Sequence, residues 1–207
     1  MHITVLIPHI SEIIPETYDS QKSVSEVFEP IIQKLLNSFP SVKNPKLIHM
    51  LGIPGAGKTT FYKNNQIKFK NFLRIDFDTL MELLPQYQYD LQVLGSKKAF
   101  EKWQIPARIA GYELLNRAIQ TKKNIFFDHG GTPTCHQELL KNVKQMGYQT
   151  AMYYIDCPVD IALNRAIERE KITKRHTPPQ MIKDRSILIQ KNLPIYQELV
   201  DEFHKVN

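Results

Sequence analysis

Residues Gly52-Ile53-Pro54-Gly55-Ala56-Gly57-Lys58-Thr59 fit the pattern G-x-x-x-x-G-K-[ST] at every position. Glycines in such a run let successive backbone N–H groups turn inward on a phosphate chain. Lys58 brings a point charge to the β- and γ-phosphates, and the Thr59 hydroxyl can ligate Mg²⁺. Thr60 follows in the first turn of a helix whose positive end faces the same anion. The run Leu47-Ile48-His49-Met50-Leu51 just before it reads as a buried strand. That strand–loop–helix setting makes the motif a nucleotide site rather than a glycine-rich turn. ATP or GTP with Mg²⁺ is the expected ligand. The loop leaves open whether the phosphate passes to water, to a protein or to a small molecule.

Carboxylates supply the second chemistry. Phe72-Leu73-Arg74-Ile75 leads into Asp76-Phe77-Asp78. Acids spaced i, i+2 in an extended chain point to opposite sides, so one orients or caps while the other can face the nucleotide. A phosphoryl acceptor needs a carboxylate that takes the hydroxyl proton as the bond forms. Asp78, followed by Thr79-Leu80-Met81-Glu82-Leu83-Leu84, sits where a helix starts, and the helix dipole keeps it ionised there; it could equally be only an N-cap. A third acid, Asp128, ends the apolar run Ile125-Phe126-Phe127 and precedes His129-Gly130-Gly131-Thr132. At that place an acid can orient Mg²⁺ through water or hold the acceptor. His129 is a candidate acceptor contact or a structural hydrogen-bonder.

Positive charge comes later in the chain. Arg165 and Arg169 lie four apart on one helix and are followed by Lys171, Lys174, Arg175 and His176, before Thr177-Pro178-Pro179 ends the segment. Such a basic helix–loop, around residues 160–178, can close over a triphosphate, stabilise charge on the transferring phosphoryl group and exclude water. Glu168 and Glu170 offer the alternative of an ordinary salt-bridged face.

These groups need a frame. Strands are expected at 47–51, 72–75, 124–128 and 151–156, with helices between them. Ala107, Ala110, Gly111, Leu114, Leu115 and Ala118 recur at helix spacing. Thr132-Pro133 should open a helix that Gly147 ends. Val159, Ala162, Leu163 and Ala166 mark another, and Tyr196, Leu199, Val200 and Phe203 form a last apolar stripe. Short apolar strands alternating with helices imply an α/β, doubly wound, mostly parallel sheet that binds ligand at the strands' carboxyl ends. Residues 1–45 read as an N-terminal helical extension to a nucleotide-binding domain over 46–207. In the extension a helix is expected from about Ser25 to Phe39, with Pro30 near its first turn and a loop or loosely attached segment over 8–22.

The chain has 207 residues, enough for one ordinary domain, and a formal net charge of +6. That surplus favours anionic partners. With no run of five basic residues and no aromatic–basic face, nucleic acid is not the expected one. No apolar stretch reaches membrane-span length, and Ile3-Thr4-Val5-Leu6-Ile7, ended by Pro8, is too short for an export signal. Cys135 and Cys157 form no disulfide framework or metal-ligand spacing, and a cytoplasmic setting is expected.

Taken together, the stretch from about Leu47 to Tyr196 resembles the zeta-toxin-type small-molecule kinases, with the related chloramphenicol phosphotransferases. The likeness is carried by the phosphate loop, by Arg74-Ile75-Asp76-Phe77-Asp78 and the helix after it, by Arg175-His176-Thr177-Pro178, and by Lys191-Asn192-Leu193-Pro194. It implies transfer of the γ-phosphate of ATP or GTP to a hydroxyl of a small anionic acceptor, such as a UDP-amino-sugar or another nucleotide. By resemblance Asp78 is the general base, Lys58 holds the triphosphate, Arg169 and Arg175 stabilise the transferring group, and Thr59 binds Mg²⁺. Asp76, Asp128, His129 and Arg165 are the residues expected to meet substrate. Asp128-His129-Gly130-Gly131-Thr132 stands where the toxins carry a Glu-Gly-Thr pattern, a shorter acid with an inserted His–Gly. A helical antitoxin that blocks the ATP site is a partner the family implies. Two other readings use the same loop: a polynucleotide 5′-hydroxyl kinase, and a nucleotide-dependent switch or binding module that transfers nothing.

Overall fold

Continuous apolar runs are what a parallel sheet covered on both faces requires, because neither side of its strands meets water. The computed structural model describes residues 21–173 and 177–207. It places five strands in one sheet: β1 (Lys46–Leu51), β2 (Leu73–Ile75), β3 (Ile125–Phe127), β4 (Gln149–Ile155) and β5 (Glu202–Val206). Their order is β2-β3-β1-β4-β5 and every neighbouring pair is parallel. Among the described residues eight helices lie between or before them: α1 (Gln21–Asn37), α2 (Lys58–Asn64), α3 (Phe77–Glu82), α4 (Pro85–Leu94), α5 (Ser96–Gln120), α6 (Cys135–Gln145), α7 (Val159–Thr173) and α8 (Pro179–Leu199). This is the doubly wound fold of phosphate-loop proteins.

β1 is the central strand. Leu47 pairs with Ile125 on one side and Thr150 on the other. Leu47, Met50, Leu51 and all three residues of β3 are fully buried. On one face of the sheet Phe61, Phe69, Phe126 and Tyr153 form an aromatic layer with ring centroids 4.8–6.1 Å apart.

Three expectations need correction. Tyr196, Leu199, Val200 and Phe203 have helical spacing, yet α8 stops at Leu199 and Val200 is extended (φ −88°, ψ 155°). Asp201 then clamps Thr150: its Oδ2 accepts from the Thr150 amide (2.8 Å) and hydroxyl (3.0 Å), and its own N–H donates to the Thr150 carbonyl. The chain from Glu202 is thereby committed to β5 beside β4. Next, α1 opens at Gln21, four residues earlier than expected, so Pro30 lies inside the helix and not in its first turn. The tertiary contacts offset that cost: Phe28 and Ile32 are buried, Phe28 meets Trp103 edge-on, and Glu29 pairs with Arg117 at 2.7 Å. Finally, α6 begins at Cys135, two residues beyond Pro133. Gly147 (φ +83°) does follow its end. Apart from Gln21 and Lys22, which belong to α1, the loop expected over 8–22 lies outside the described residues.

Gly111 decides how α5 meets the start of α3. A Cβ there would stand 2.1 Å from Cδ1 and 2.3 Å from Cε1 of Phe77. That ring is hemmed in by Tyr112 (5.0 Å), His129 (4.9 Å) and Phe127 (5.9 Å), so it cannot swing aside. Because Phe77 lies between Asp76 and Asp78, Gly111→Ala should both destabilise the fold, by about 1–3 kcal/mol, and displace those acids. Urea denaturation together with nucleotide-dependent activity checks this; wild-type values for both would show that the packing yields.

Candidate active site

The phosphate loop joins β1 to α2, so it lies at the carboxyl edge of the sheet. Gly55 has φ +86°, and a Cβ on it would come within 2.3 Å of the Ala162 carbonyl on α7. Only glycine lets the loop lie this close to α7. Arg165, one turn along α7, donates to the Ala56 carbonyl at 3.2 Å and braces the loop from the same side. Lys58 Nζ donates to the carbonyls of Gly52 (2.8 Å) and Ile53 (3.1 Å). Burial pulls the Lys58 pKa down to about 8, with Asp128 and Asp76 opposing and Arg185 and Arg169 adding to the effect. Pro54 completes the loop, and Thr59 and Thr60 are exposed in the first turn of α2. The glycine cradle, the lysine and a hydroxyl at the helix start form a donor set that fits a Mg²⁺–nucleotide, with Thr59 as the side chain that would hold the ion.

Next to the loop, β2 and β3 end in the acids. Arg74 on β2 has its guanidinium between Asp76 (3.0 Å) and Asp128 (2.6 Å), and lies 4.3 Å above the Tyr62 ring of α2. Asp76 is the N-cap of α3: its Oδ1 accepts from the Asp78 amide at 3.3 Å, and its Oδ2 accepts from the Thr79 hydroxyl at 2.7 Å. Asp78 is therefore the second residue of α3, held in its first turn with the dipole behind it. Burial, then the charges of Asp128 and Asp78, push the Asp76 carboxyl up to about 6, against the pull of Arg74 and Thr79.

Beyond Asp128 the segment His129–Pro133 is fixed from two sides. From α8, Tyr196 donates to the Gly131 carbonyl (2.9 Å) and Asn192 to the Thr132 carbonyl (3.3 Å). From below, His49 and His136 are fully buried and pack ring to ring at 5.1 Å, with His129 4.8 Å from His136. Tyr112 shares a hydrogen bond with His136 Nε2 at 2.8 Å. His129 stacks on Phe127, and burial holds all three imidazoles neutral. The rings do not converge on one point, and among the described residues no group of three or more His, Cys, Asp or Glu is arranged to hold a metal ion.

α7 and α8 pack against each other. Arg169 on α7 donates to the Thr177 hydroxyl at 2.7 Å, and its charge acts on Lys58. Arg175 and His176 lie outside the described residues. Cys157 receives a weak contact from Arg165 at 3.8 Å, and burial raises its thiol pKa. No described helix is long and apolar enough to cross a membrane.

A family model described as "Zeta toxin" matches residues 29–207. The chain belongs to the zeta toxin family. Membership makes this a kinase-type, nucleotide-binding domain. A chain of the PezAT chromosomal toxin–antitoxin system of Streptococcus pneumoniae superposes with a TM-score of 0.72 at 18% identity, covering 90% of this chain and 77% of that one. A chain of the AvrRxo1-ORF1:-ORF2 complex with ATP superposes with a TM-score of 0.64 at 13% identity, over 84% of this chain and 58% of that one. Both likenesses are of fold. In sequence, a stretch of 53 residues is 42% identical to cytidine diphosphoramidate kinase of Campylobacter jejuni subsp. jejuni serotype O:2, covering 24% of this chain and 31% of that protein.

Within this zeta-toxin-family site, sequence reasoning missed the part played by Arg74 and the inward face of α8. Arg74 is two residues before Asp76 on one strand, so the two share a side; that signal was present in the period of two. Its bond to Asp128 spans β2 and β3 and needs the sheet order to be seen. The Asp76 pKa has a functional corollary. Raised above its unfolded value, the carboxyl is half-protonated at about pH 6, gains its proton below that and is ionised above. Protonation weakens its hold on Arg74 and on the start of α3. Phosphoryl transfer, as kcat/KM, should therefore fall as pH drops through about 6, and Asp76→Asn should lower the plateau and erase that limb. A pH–rate profile decides it; a limb that persists in the variant places the titration elsewhere.

Proposed function

We propose that the protein transfers the γ-phosphate of ATP or GTP to a hydroxyl group of a small nucleotide-type acceptor. The observation that carries this is a complete phosphate loop after β1 and a carboxylate, Asp78, after β2 at the same carboxyl edge of the sheet, with β3 between them and Asp78 held in place by the Asp76 cap and the Arg74–Asp128 pair. The acceptor oxygen attacks the γ-phosphorus, its proton passes to the Asp78 carboxylate, and the bond from the γ-phosphorus to the β–γ bridging oxygen breaks, leaving the nucleoside diphosphate. Lys58 follows the charge on the phosphates, and Arg169, joined by Arg175, balances what spreads over the equatorial oxygens. Mg²⁺ at Thr59 supplies further positive charge to the β- and γ-oxygens when bound. The similarity to a kinase named for a cytidine diphosphate derivative supports an acceptor that is itself a nucleotide.

Incubation with Mg²⁺, γ-labelled ATP and separate pools of nucleoside diphosphates, UDP-sugars, dinucleotides, nucleosides and short RNA tests this. Label should enter a nucleotide pool, disappear with Lys58→Ala, and drop about 10²- to 10⁴-fold with Asp78→Asn while ATP still binds. Normal transfer by Asp78→Asn would remove it as the base. Label recovered only as free phosphate would favour the switch. We also propose an inhibitory protein partner of the antitoxin kind, supported by the two-protein systems among the fold relatives. Such a partner should compete with an ATP analogue, and simultaneous binding of both would exclude this mode.

A further inference from the structure

We propose that the outer side of α8 pairs two copies of this chain about a two-fold axis, helix against antiparallel helix. Met181, Leu188 and Ile195 form the apolar seam, and Asp184 of each copy meets Lys191 of the other. The interface stands apart from the kinase reading, because none of these residues has a part in the site described above.

Two rows of side chains run along α8. Ile182, Ile189, Asn192 and Tyr196 are buried, and the last two hold Thr132 and Gly131. About a quarter-turn round the helix, Met181, Leu188 and Ile195 recur at every seventh residue. They are 36, 42 and 43% exposed, and Ile187 beside the middle one is 69% exposed. Apolar side chains scattered singly on a surface are ordinary, but these three share one row on a helix of 21 residues. A seven-residue repeat is what keeps side chains on one seam when two helices coil around each other. Asp184 and Lys191 complete that seam, since positions 181, 184, 188, 191 and 195 are spaced alternately by three and four.

The two charges identify the occupant. Asp184 stands about 6 Å before Leu188 along the axis, and Lys191 about 4.5 Å after it. A second α8 running antiparallel, with Leu188 against Leu188, brings Asp184 of each copy to about the level of Lys191 of the other, some ~1.5 Å apart along the axis. Met181 then meets Ile195 of the second copy, and Ile195 meets its Met181. The two Ile187 side chains flank the Leu188 pair on the same side. Every contact occurs twice, as a two-fold interface requires. A parallel pair would instead set Asp184 against Asp184 and Lys191 against Lys191, which like-charge repulsion disfavours. Asp184 accepts from Gln180 one turn back at 2.7 Å, and a carboxylate has acceptor sites for the lysine as well. With 21 residues α8 is about 30 Å long, so the contact belongs to the small class of specific interfaces and a reversible, micromolar dimer is expected.

The test is sedimentation velocity of the full chain over concentrations from about 1 to about 300 μM. The average mass should rise toward twice that of one chain. Asp184→Lys and Lys191→Asp should each weaken the dimer about tenfold or more, because two attractive contacts become repulsive. The two substitutions together should restore it, since the pair is exchanged and not lost. Leu188→Glu should abolish it. These side chains are exposed, so circular dichroism and urea midpoints should stay close to wild type. Leu188→Cys should give a covalent dimer under mild oxidation that the wild-type chain does not, because the axis sets residue 188 against its own copy. A monomer at every concentration overturns the interface. So does a dimer that survives Leu188→Glu, which would place the contact elsewhere, or a double exchange that fails to recover what the single ones lose. A chain that stays monomeric and uses this row to hold a different protein overturns it too. Where Leu188→Glu does not fold, the charge exchange and Leu188→Cys decide.

Discussion

The Arg74 guanidinium ties the two halves of the site together. It bridges Asp76 at the end of β2 and Asp128 after β3, and it rests on Tyr62 of α2, the helix that the phosphate loop begins. The Asp128 side chain is only 5% exposed and those of Arg74 and Asp76 under a fifth. A buried charge without its partner costs about 3–5 kcal/mol, so these groups hold one another in place. Through Asp76 the bridge sets the start of α3, and through α3 it sets where Asp78 stands. The bridge therefore adds precision of position more than net stability, since an apolar trio of the same volume could fold as well.

A second set of constraints comes from the late helices. α7 seats the phosphate loop through the Gly55–Ala162 approach and the Arg165 bond. α8 holds the segment after Asp128 through Asn192 and Tyr196. One of these helices thus contacts the phosphate loop and the other the segment after Asp128. A displacement of the packed helix pair would therefore disturb the phosphate loop and the segment after Asp128 together.

Much of this was legible in the chain. The phosphate loop is a local motif, and the buried strands announce themselves because a parallel sheet leaves no polar face. The i, i+2 spacing of Asp76 and Asp78 implied that one acid caps or orients while the other can face the nucleotide, with Asp78 as the possible cap; that the cap is Asp76 needed the structure. What escaped notice depended on distant partners. β5 was hidden because residues 196–203 keep helical spacing across the break, and only the Asp201–Thr150 clamp turns the chain. The early start of α1 was hidden by Pro30, whose local cost is outweighed by burial of Phe28 and Ile32 on α5. Arg74 looked like an ordinary strand residue until β3 was placed beside β2.

The three neutral imidazoles of His49, His129 and His136 make the folded protein a poorer proton acceptor than its own unfolded chain. His49 is held down to about 3, against about 6.5 for a solvated imidazole, and His136 is likewise depressed by burial. The stability that depends on their neutrality is complete above about pH 6.5 and drains away as the medium acidifies, at up to about 1.4 kcal/mol per pH unit for each ring. Each unfolding event in that range takes up protons. The histidines that floor the site thus couple its integrity to acidity as a thermodynamic load on the whole domain, quite apart from any step in the chemistry.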